Sequence, residues 1–321
     1  MLSALIRRNL VQLGNLVLLA WLVSVAVFLL LDLIPGDPVD SLVPPGSTEE
    51  VRAAAREAYG LNDPLLDRYL SWMGGILRGD FGESFASRTP VLEVIAERVP
   101  VSLELAVVSL LVALAVSIPV GVWSAYRQGG LFDRAATAVT SATLAVPSFV
   151  LGILLVYLFG VHLEVLPILG WVPFAEDPAQ HILYLILPVV TLAAGECVLF
   201  TRLLRGDMVA TLQQDHVLSA RARGLPTWRI LVRHSLRQSS FSLVTVSGVV
   251  MGRLIGGTVI VELIFSLPGM GSLVVNSILS RDFLVVQAIV LLSAVFYLLV
   301  NTGVDLAYPW LDPRVRKVGK A

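Results

Sequence analysis

Two residues of opposite charge stand inside apolar segments, where charge is expensive: Glu196, within Ile182–Thr201, and Arg253, within Gln238–Val261. Near a bilayer centre each must face a partner, the protein interior or water. Glu196 lies about 5 residues from the nearer end of its segment, Thr201, roughly 7.5 Å. Arg253 lies about 15 residues into its segment, roughly 22 Å, and its long side chain can reach back toward Glu196. Two chemistries are open to them, a buried ion pair or the lining of a substrate cavity. Glu104, Glu262 and Asp305 fall near the ends of apolar runs, where interfacial solvation or a helix–helix hydrogen bond suffices. His162, His181, His216 and His234 are scattered and Cys197 is the single cysteine. No catalytic residue, metal site or disulfide is therefore expected. A phosphate-binding loop needs Gly-x-x-x-x-Gly-Lys-Ser/Thr. The lysines here are Lys317 and Lys320 alone, so the chain has no nucleotide chemistry of its own.

The elements that position these residues follow from composition. The chain has 321 residues, 56% hydrophobic and 15% charged, too apolar for a water-soluble globule. A helix crosses the hydrocarbon with about 20 apolar residues. Six stretches meet or approach this: Asn9–Leu31, Leu105–Tyr126, Ala135–Val161, Ile182–Thr201, Gln238–Val261 and Phe283–Val304. The first is too long for a signal-peptide core and no small-residue cleavage site follows it, so it is expected to be retained. The connections that share a side with both termini carry 15 Lys and Arg, from Arg7 and Arg8 to Arg314, Arg316, Lys317 and Lys320. Across the membrane the short connections carry only Arg281. Both termini are therefore expected in the cytoplasm.

Residues 34–98 form the expected extracytoplasmic domain, with 11 acidic and 6 basic residues. Ser47-Thr48-Glu49-Glu50 has the composition of a helix start, and Asp63-Pro64 precedes a second helix through Tyr69 and Trp72. The stretch 202–237 holds seven arginines and breaks at Gly224-Leu225-Pro226, a helix stop followed by a new start. Topology or anionic lipid alone explains the arginines. Neither requires two helices interrupted at one glycine, which is how a docking element is built.

Blocks along the whole chain resemble a known family. They run Leu33-Ile34-Pro35-Gly36-Asp37-Pro38, Tyr59-Gly60-Leu61-Asn62-Asp63-Pro64, Gly79-Asp80-Phe81-Gly82-Glu83-Ser84 and Ser102-Leu103-Glu104-Leu105-Ala106. Next come Ser219-Ala220-Arg221-Ala222-Arg223-Gly224-Leu225, Arg233-His234-Ser235-Leu236-Arg237, Val261 to Gly271 and Leu311-Asp312-Pro313-Arg314. Together, in order, they resemble the permease subunits of ABC importers of the dipeptide/oligopeptide (DppB/OppB-like) type. The resemblance implies an all-α integral membrane protein with six transmembrane helices, the type I importer fold and a small extracytoplasmic domain between helices 1 and 2. It divides the chain into 1–33 (N-terminus and first span), 34–98, a core of 99–310 with coupling loop 202–237, and a cytoplasmic tail of 311–321.

The resemblance further implies a coupling helix that enters a cleft of an ATP-binding subunit: Asp215, Leu218, Ser219, Ala220, Arg221, Ala222, Arg223, Gly224 and Leu225. The family's Glu-Ala start is replaced by Leu218 and Ser219. Where the family reads Arg-Asn-Ala-x-x-Pro, Gln238 replaces Asn and Ser242 stands at the Pro position. Glu262, Pro268, Gly269 and Gly271 mark an extracytoplasmic gate or a plain turn, and Glu196 and Arg253 a pathway lining or a buried pair. The implied partners are a second homologous permease, two ATP-binding subunits carrying ATP and Mg²⁺, an extracytoplasmic binding protein, a peptide substrate and membrane lipid, with no nucleic acid. The implied place is the bacterial inner membrane, multi-pass. The same family handles nickel chelates, glutathione-like peptides and haem. A stand-alone secondary transporter is the reading from another class, and it leaves the Gly224 loop without a purpose.

Overall fold

In the computed structural model the described residues are 2–32, 39, 43, 46–58, 60 and 62–311, with side chains described for 13–29, 39, 43, 46–57, 60 and 62–304. The Pro35–Pro38 block, Tyr59, Leu61, the side chain of Asp305 and the tail from Asp312 lie outside them. The fold is helical, and the described residues contain no strand beyond one isolated bridge between Glu83 and Pro90. In chain order the helices are α1 (Leu2–Asp32), α2 (Glu49–Ala58), α3 (Leu65–Ile76), α4 (Val91–Tyr126), α5 (Leu131–Ala145) and α6 (Ser148–Leu155). Then follow α7 (Pro178–Leu212), α8 (Asp215–Ala222), α9 (Thr227–Gly257), α10 (Val259–Ile264), α11 (Met270–Leu279) and α12 (Phe283–Leu311).

Among the described residues four helices are long and apolar enough to span a bilayer: α4, α7, α9 and the Phe283–Val304 part of α12. Helix α1 carries a shorter described apolar run, Leu13–Leu29. The expected single span Ala135–Val161 is instead two helices, α5 and Ser148–His162, bent by 100°. The cause is Pro147, which disfavours α geometry at the residue before it. Val146 accordingly takes an extended conformation, φ −103° and ψ 120°. Beyond α6 the chain widens into a π-helix, Val156–His162.

The chain forms two compact units. One comprises residues 1–102 and 268–299. Its core joins Val91 and Ile95 of α4 to Met270 of α11 and Val285, Ala288 and Ile289 of α12. Phe28, Tyr69 and Trp72 cluster edge-on and tilted, and the Ser24 and Tyr69 hydroxyls lie 2.8 Å apart, fastening α3 to α1. The Ser102 hydroxyl accepts the backbone N–H of Met270 at 2.8 Å, satisfying one orphan donor of the first turn of α11. Asp282 is buried, and its Oδ2 accepts from the Ser84 hydroxyl at 2.5 Å and the Ala86 N–H at 3.2 Å.

The second unit comprises residues 103–267 and 300–321. Helix α7 is its axis and packs against α5, α6, α8, α9 and α10. Its start is set locally: Asp177 caps it, accepting the N–H groups of Ala179 and Gln180 at 3.0 Å, and Pro178 sits where a missing N–H costs nothing. Phe200, Leu204 and Met208 on α7 are fully buried. Gly248 of α9 lies so close to Val304 that any Cβ would collide with it.

Asp282 generates a prediction. Asp282→Ala removes the shared acceptor of Ser84 and Ala86, a loss of about 1–3 kcal/mol for a buried charged hydrogen bond. Limited proteolysis of the detergent-purified protein is expected to cut faster between Phe85 and Thr89. Unchanged cleavage would show that Asp282 does not hold this turn.

Candidate functional site: the coupling helix and the charged contacts of α7

The Gly224 elbow is built from a short helix with two opposed faces. Val217 and Ala220 of α8 are fully buried, and Ile230 and Leu231 of α9 are buried beside the element α8 packs on. Asp215, Leu218, Ser219, Arg221, Ala222, Arg223 and Gly224 are exposed, and Leu225 is half-buried. Asp215 lies in the first turn, at the positive end of the dipole. The helix ends in a Schellman turn: the Leu225 N–H donates to Ala220 O at 3.3 Å and the Gly224 N–H to Arg221 O at 2.9 Å. Gly224 adopts φ +73°, a left-handed conformation that costs a residue with a side chain about 1–2 kcal/mol. Pro226 then starts α9.

The structure places α9 further back than the sequence suggested, from Thr227 rather than Gln238. Its first part contains a seven-residue π-helix, Ile230–Leu236. The ends of α7 and α9 are laced by three polar contacts. The Ser242 hydroxyl donates to Asp207, the Thr211 and Ser239 hydroxyls lie 3.1 Å apart, and Gln238 donates to Gln214 Oε1 at 3.1 Å. Gln238 and Ser242, which depart from the family's Arg-Asn-Ala-x-x-Pro pattern, each have their own partner here.

Glu196 and Arg253 do meet. Nη2 of Arg253 donates to both carboxylate oxygens of Glu196, at 2.8 and 2.7 Å. The carboxylate is buried, whereas the Arg253 side chain is 61% exposed. The buried charge is thus answered, and the rest of the guanidinium faces outward.

Two further pairings escaped the sequence reading. Arg205 grips Asp133 in a fork, Nε to Oδ1 at 2.6 Å and Nη2 to Oδ2 at 2.8 Å, and Asp133 also accepts the Gly129 N–H at 2.9 Å. His181, 2% exposed, lies between Val172 O on Nδ1 and Glu104 Oε1 on Nε2, each at 2.7 Å, with Trp171 and Phe174 edge-on. A carbonyl only accepts, so Nδ1 carries the hydrogen, and one further proton must lie between Nε2 and Glu104. The signal was positional: Glu104 and His181 both stand beside apolar runs on one expected side of the membrane.

Glu262 is fully buried and accepts the Thr258 hydroxyl at 2.7 Å. Gly269 precedes α11, where Ser272 caps the turn, and Gly269 and Gly271 are buried while Pro268 is half-buried. Among the described residues no group of three His, Cys, Asp or Glu could hold a metal ion.

Residues 117–317 match the family described as binding-protein-dependent transport system inner membrane component, and residues 1–106 match the N-terminal family of such membrane components. The chain belongs to this family. It is a transport subunit rather than an enzyme. A probable peptide ABC transporter permease, y4tP of Sinorhizobium fredii, is 37% identical over 92% of this chain and 94% of its own. The oligopeptide permease AppB of Bacillus subtilis is 36% identical over 91% and 94%. The glutathione permease GsiC of Salmonella choleraesuis is 35% identical over 92% and 94%.

The Glu196–Arg253 pair sets a second prediction. Arg253→Met leaves a buried carboxylate unpaired, which costs about 3–5 kcal/mol for a fully buried pair and less here because Arg253 is mostly exposed. Its yield of folded protein in membranes is expected to fall, and Glu196→Gln/Arg253→Met to restore it. A double variant no better than the single would break the pairing account. Glu104→Gln supplies an N–H to a neutral His181 and is expected to keep the wild-type melting temperature, whereas Glu104→Leu lowers it by several degrees. Equal melting of the two would show that the contact is not a hydrogen bond that holds the fold.

Proposed function

We propose that the chain is one half of the translocation pathway of an ATP-driven importer for di- or oligopeptides in a bacterial inner membrane. The second half is a homologous permease. Two ATP-binding subunits, which carry ATP and Mg²⁺, dock on the loops around α8, and an extracytoplasmic binding protein delivers the peptide. The chain crosses the membrane six times with both termini in the cytoplasm, α1 and the bent pair α5–α6 each serving as a span. The extracytoplasmic domain lies between the first two spans.

The observation that carries this reading is α8: a short helix, buried on one face, exposed on the other and fixed at its end by a left-handed glycine. Such a helix is a rigid lever rather than a slack connection. Its exposed Arg221 and Arg223 suit acids on a partner. When ATP binding draws two such helices together, the motion enters α7 and α9 through the contacts that lace their ends, and the pathway reorients by rigid-body rocking. The open side of the Arg253 guanidinium is a candidate wall of that pathway, and the turn at Pro268–Gly271 a candidate gate. Peptide as cargo is supported by the names of the similar permeases, and the likeness to a glutathione permease places small peptides within the class.

Deleting residues 213–225, or substituting Gly224→Pro, is expected to abolish co-purification with a P-loop ATPase and ATP-dependent uptake of labelled peptide into proteoliposomes. Gly224→Val, strained by about 1–2 kcal/mol, is expected to reduce both. Intact co-purification of the deletion would sink the coupling assignment. Ion-gradient-driven uptake by the purified chain alone would favour a stand-alone secondary transporter.

A further inference from the structure

A cavity of about 370 Å³ opens between the end of α4, the start of α5 and α7, walled by Ser124, Thr137, Thr140, Thr201, Arg202 and Arg205. Its two arginines differ in their partners. Arg205 is neutralised by Asp133 through Nε and Nη2. Arg202 donates only to the Ser141 hydroxyl, at 2.9 Å, and has no carboxylate within 4.0 Å among the described residues. Arg202 is exposed, so its positive charge is available to an anion at this level. The wall also holds an unused donor: Ser124 is fully buried and its hydroxyl has no hydrogen-bond partner. The Thr140 hydroxyl is committed to Thr137 O at 3.0 Å, so it can serve a ligand only as an acceptor.

The depth of the cavity identifies its level in the membrane. The apolar run of α7 gives way to charge at Arg202. The last turn of α4 presents Trp123 and Tyr126, with the Arg127 guanidinium 5.7 and 5.8 Å from their ring centroids. Helix α5 begins with exposed Leu131 and Phe132. Aromatic rings, arginine and exposed apolar side chains at one level mark the zone of lipid headgroups. The anion available there is a phosphodiester, which carries one negative charge and only acceptor oxygens. A headgroup with its own ammonium would bring a cation against Arg202, so a headgroup without one fits better.

We infer that this cavity binds the phosphodiester of an anionic phospholipid, with Arg202 supplying the charge and Ser124 a buried donor. The inference rests on the membrane placement of the chain and is independent of its cargo. Native mass spectrometry of the detergent-purified full chain tests it, with phosphatidylglycerol, phosphatidylcholine and inorganic phosphate as separate probes. Phosphatidylglycerol is expected to bind about tenfold more weakly to Arg202→Gln, the loss of one charged hydrogen-bonding partner, with phosphatidylcholine binding unchanged. Ser124→Ala, which removes the buried donor, is expected to weaken the same lipid in the same direction if Arg202→Gln fails to fold. Equal phosphatidylglycerol binding by wild type and variants would overturn the site. Inorganic phosphate competing as well as the lipid would reduce it to a free-anion site, and displacement of the lipid by dipeptide would assign the cavity to cargo.

Discussion

A charge or strong dipole taken out of water inside an apolar bundle must be answered by a partner, and α7 carries five such obligations. Working along it, His181 is met by Glu104 of α4, Glu196 by Arg253 of α9, Arg205 by Asp133 of α5, and Asp207 with Thr211 by Ser242 and Ser239 of α9. Between these contacts lie Phe200, Leu204 and Met208, fully buried and without polar atoms to satisfy. Apolar contact alone would let helices slide in register, because lipid tails are as apolar as leucine. These polar pairings fix which turn of each neighbour faces which turn of α7.

That fixing gives α8, the proposed coupling helix, something to act on. Helix α8 follows α7 after two residues, and its Schellman turn leads directly into α9. The two helices it joins are the ones laced by the Asp207, Thr211 and Gln214 contacts. On the proposed reading, force applied to the exposed face of α8 cannot be absorbed in a loose loop, and α7 and α9 move as one body. The departures at Gln238 and Ser242 belong to this lacing. Ser242 gives up the proline's rigidity and gains a bond to Asp207, and Gln238 reaches Gln214.

Much of this was legible in the sequence, for physical reasons. Gly224 was readable because Gly-Leu-Pro is helix-stop and helix-start chemistry in three residues. Glu196 and Arg253 were readable because isolated charges in apolar runs demand partners. The starts of α2 and α3 followed from an acidic first turn and from Pro64. The bend at Val146-Pro147 was missed because an apolar run reads as a span whether or not a proline interrupts it. Asp133 and Arg205 were missed because only Lys and Arg flanking the spans were counted, for orientation, a sum that ignores which acid each one meets. The extension of α7 to Leu212 and the early start of α9 were hidden by their arginines, which mark the end of hydrocarbon but not the end of a helix.

On the proposed reading a separate ATPase drives this chain through the exposed face of α8. A photo-crosslinking amino acid at Leu218, which is 48% exposed on that face, tests it most directly in intact membranes, with Val139, 65% exposed on α5, as the control. The account predicts a Leu218 adduct with a P-loop ATPase, its yield changed by ATP, and no such adduct from Val139. Peptide uptake that proceeds with no ATPase adduct at Leu218 would contradict it.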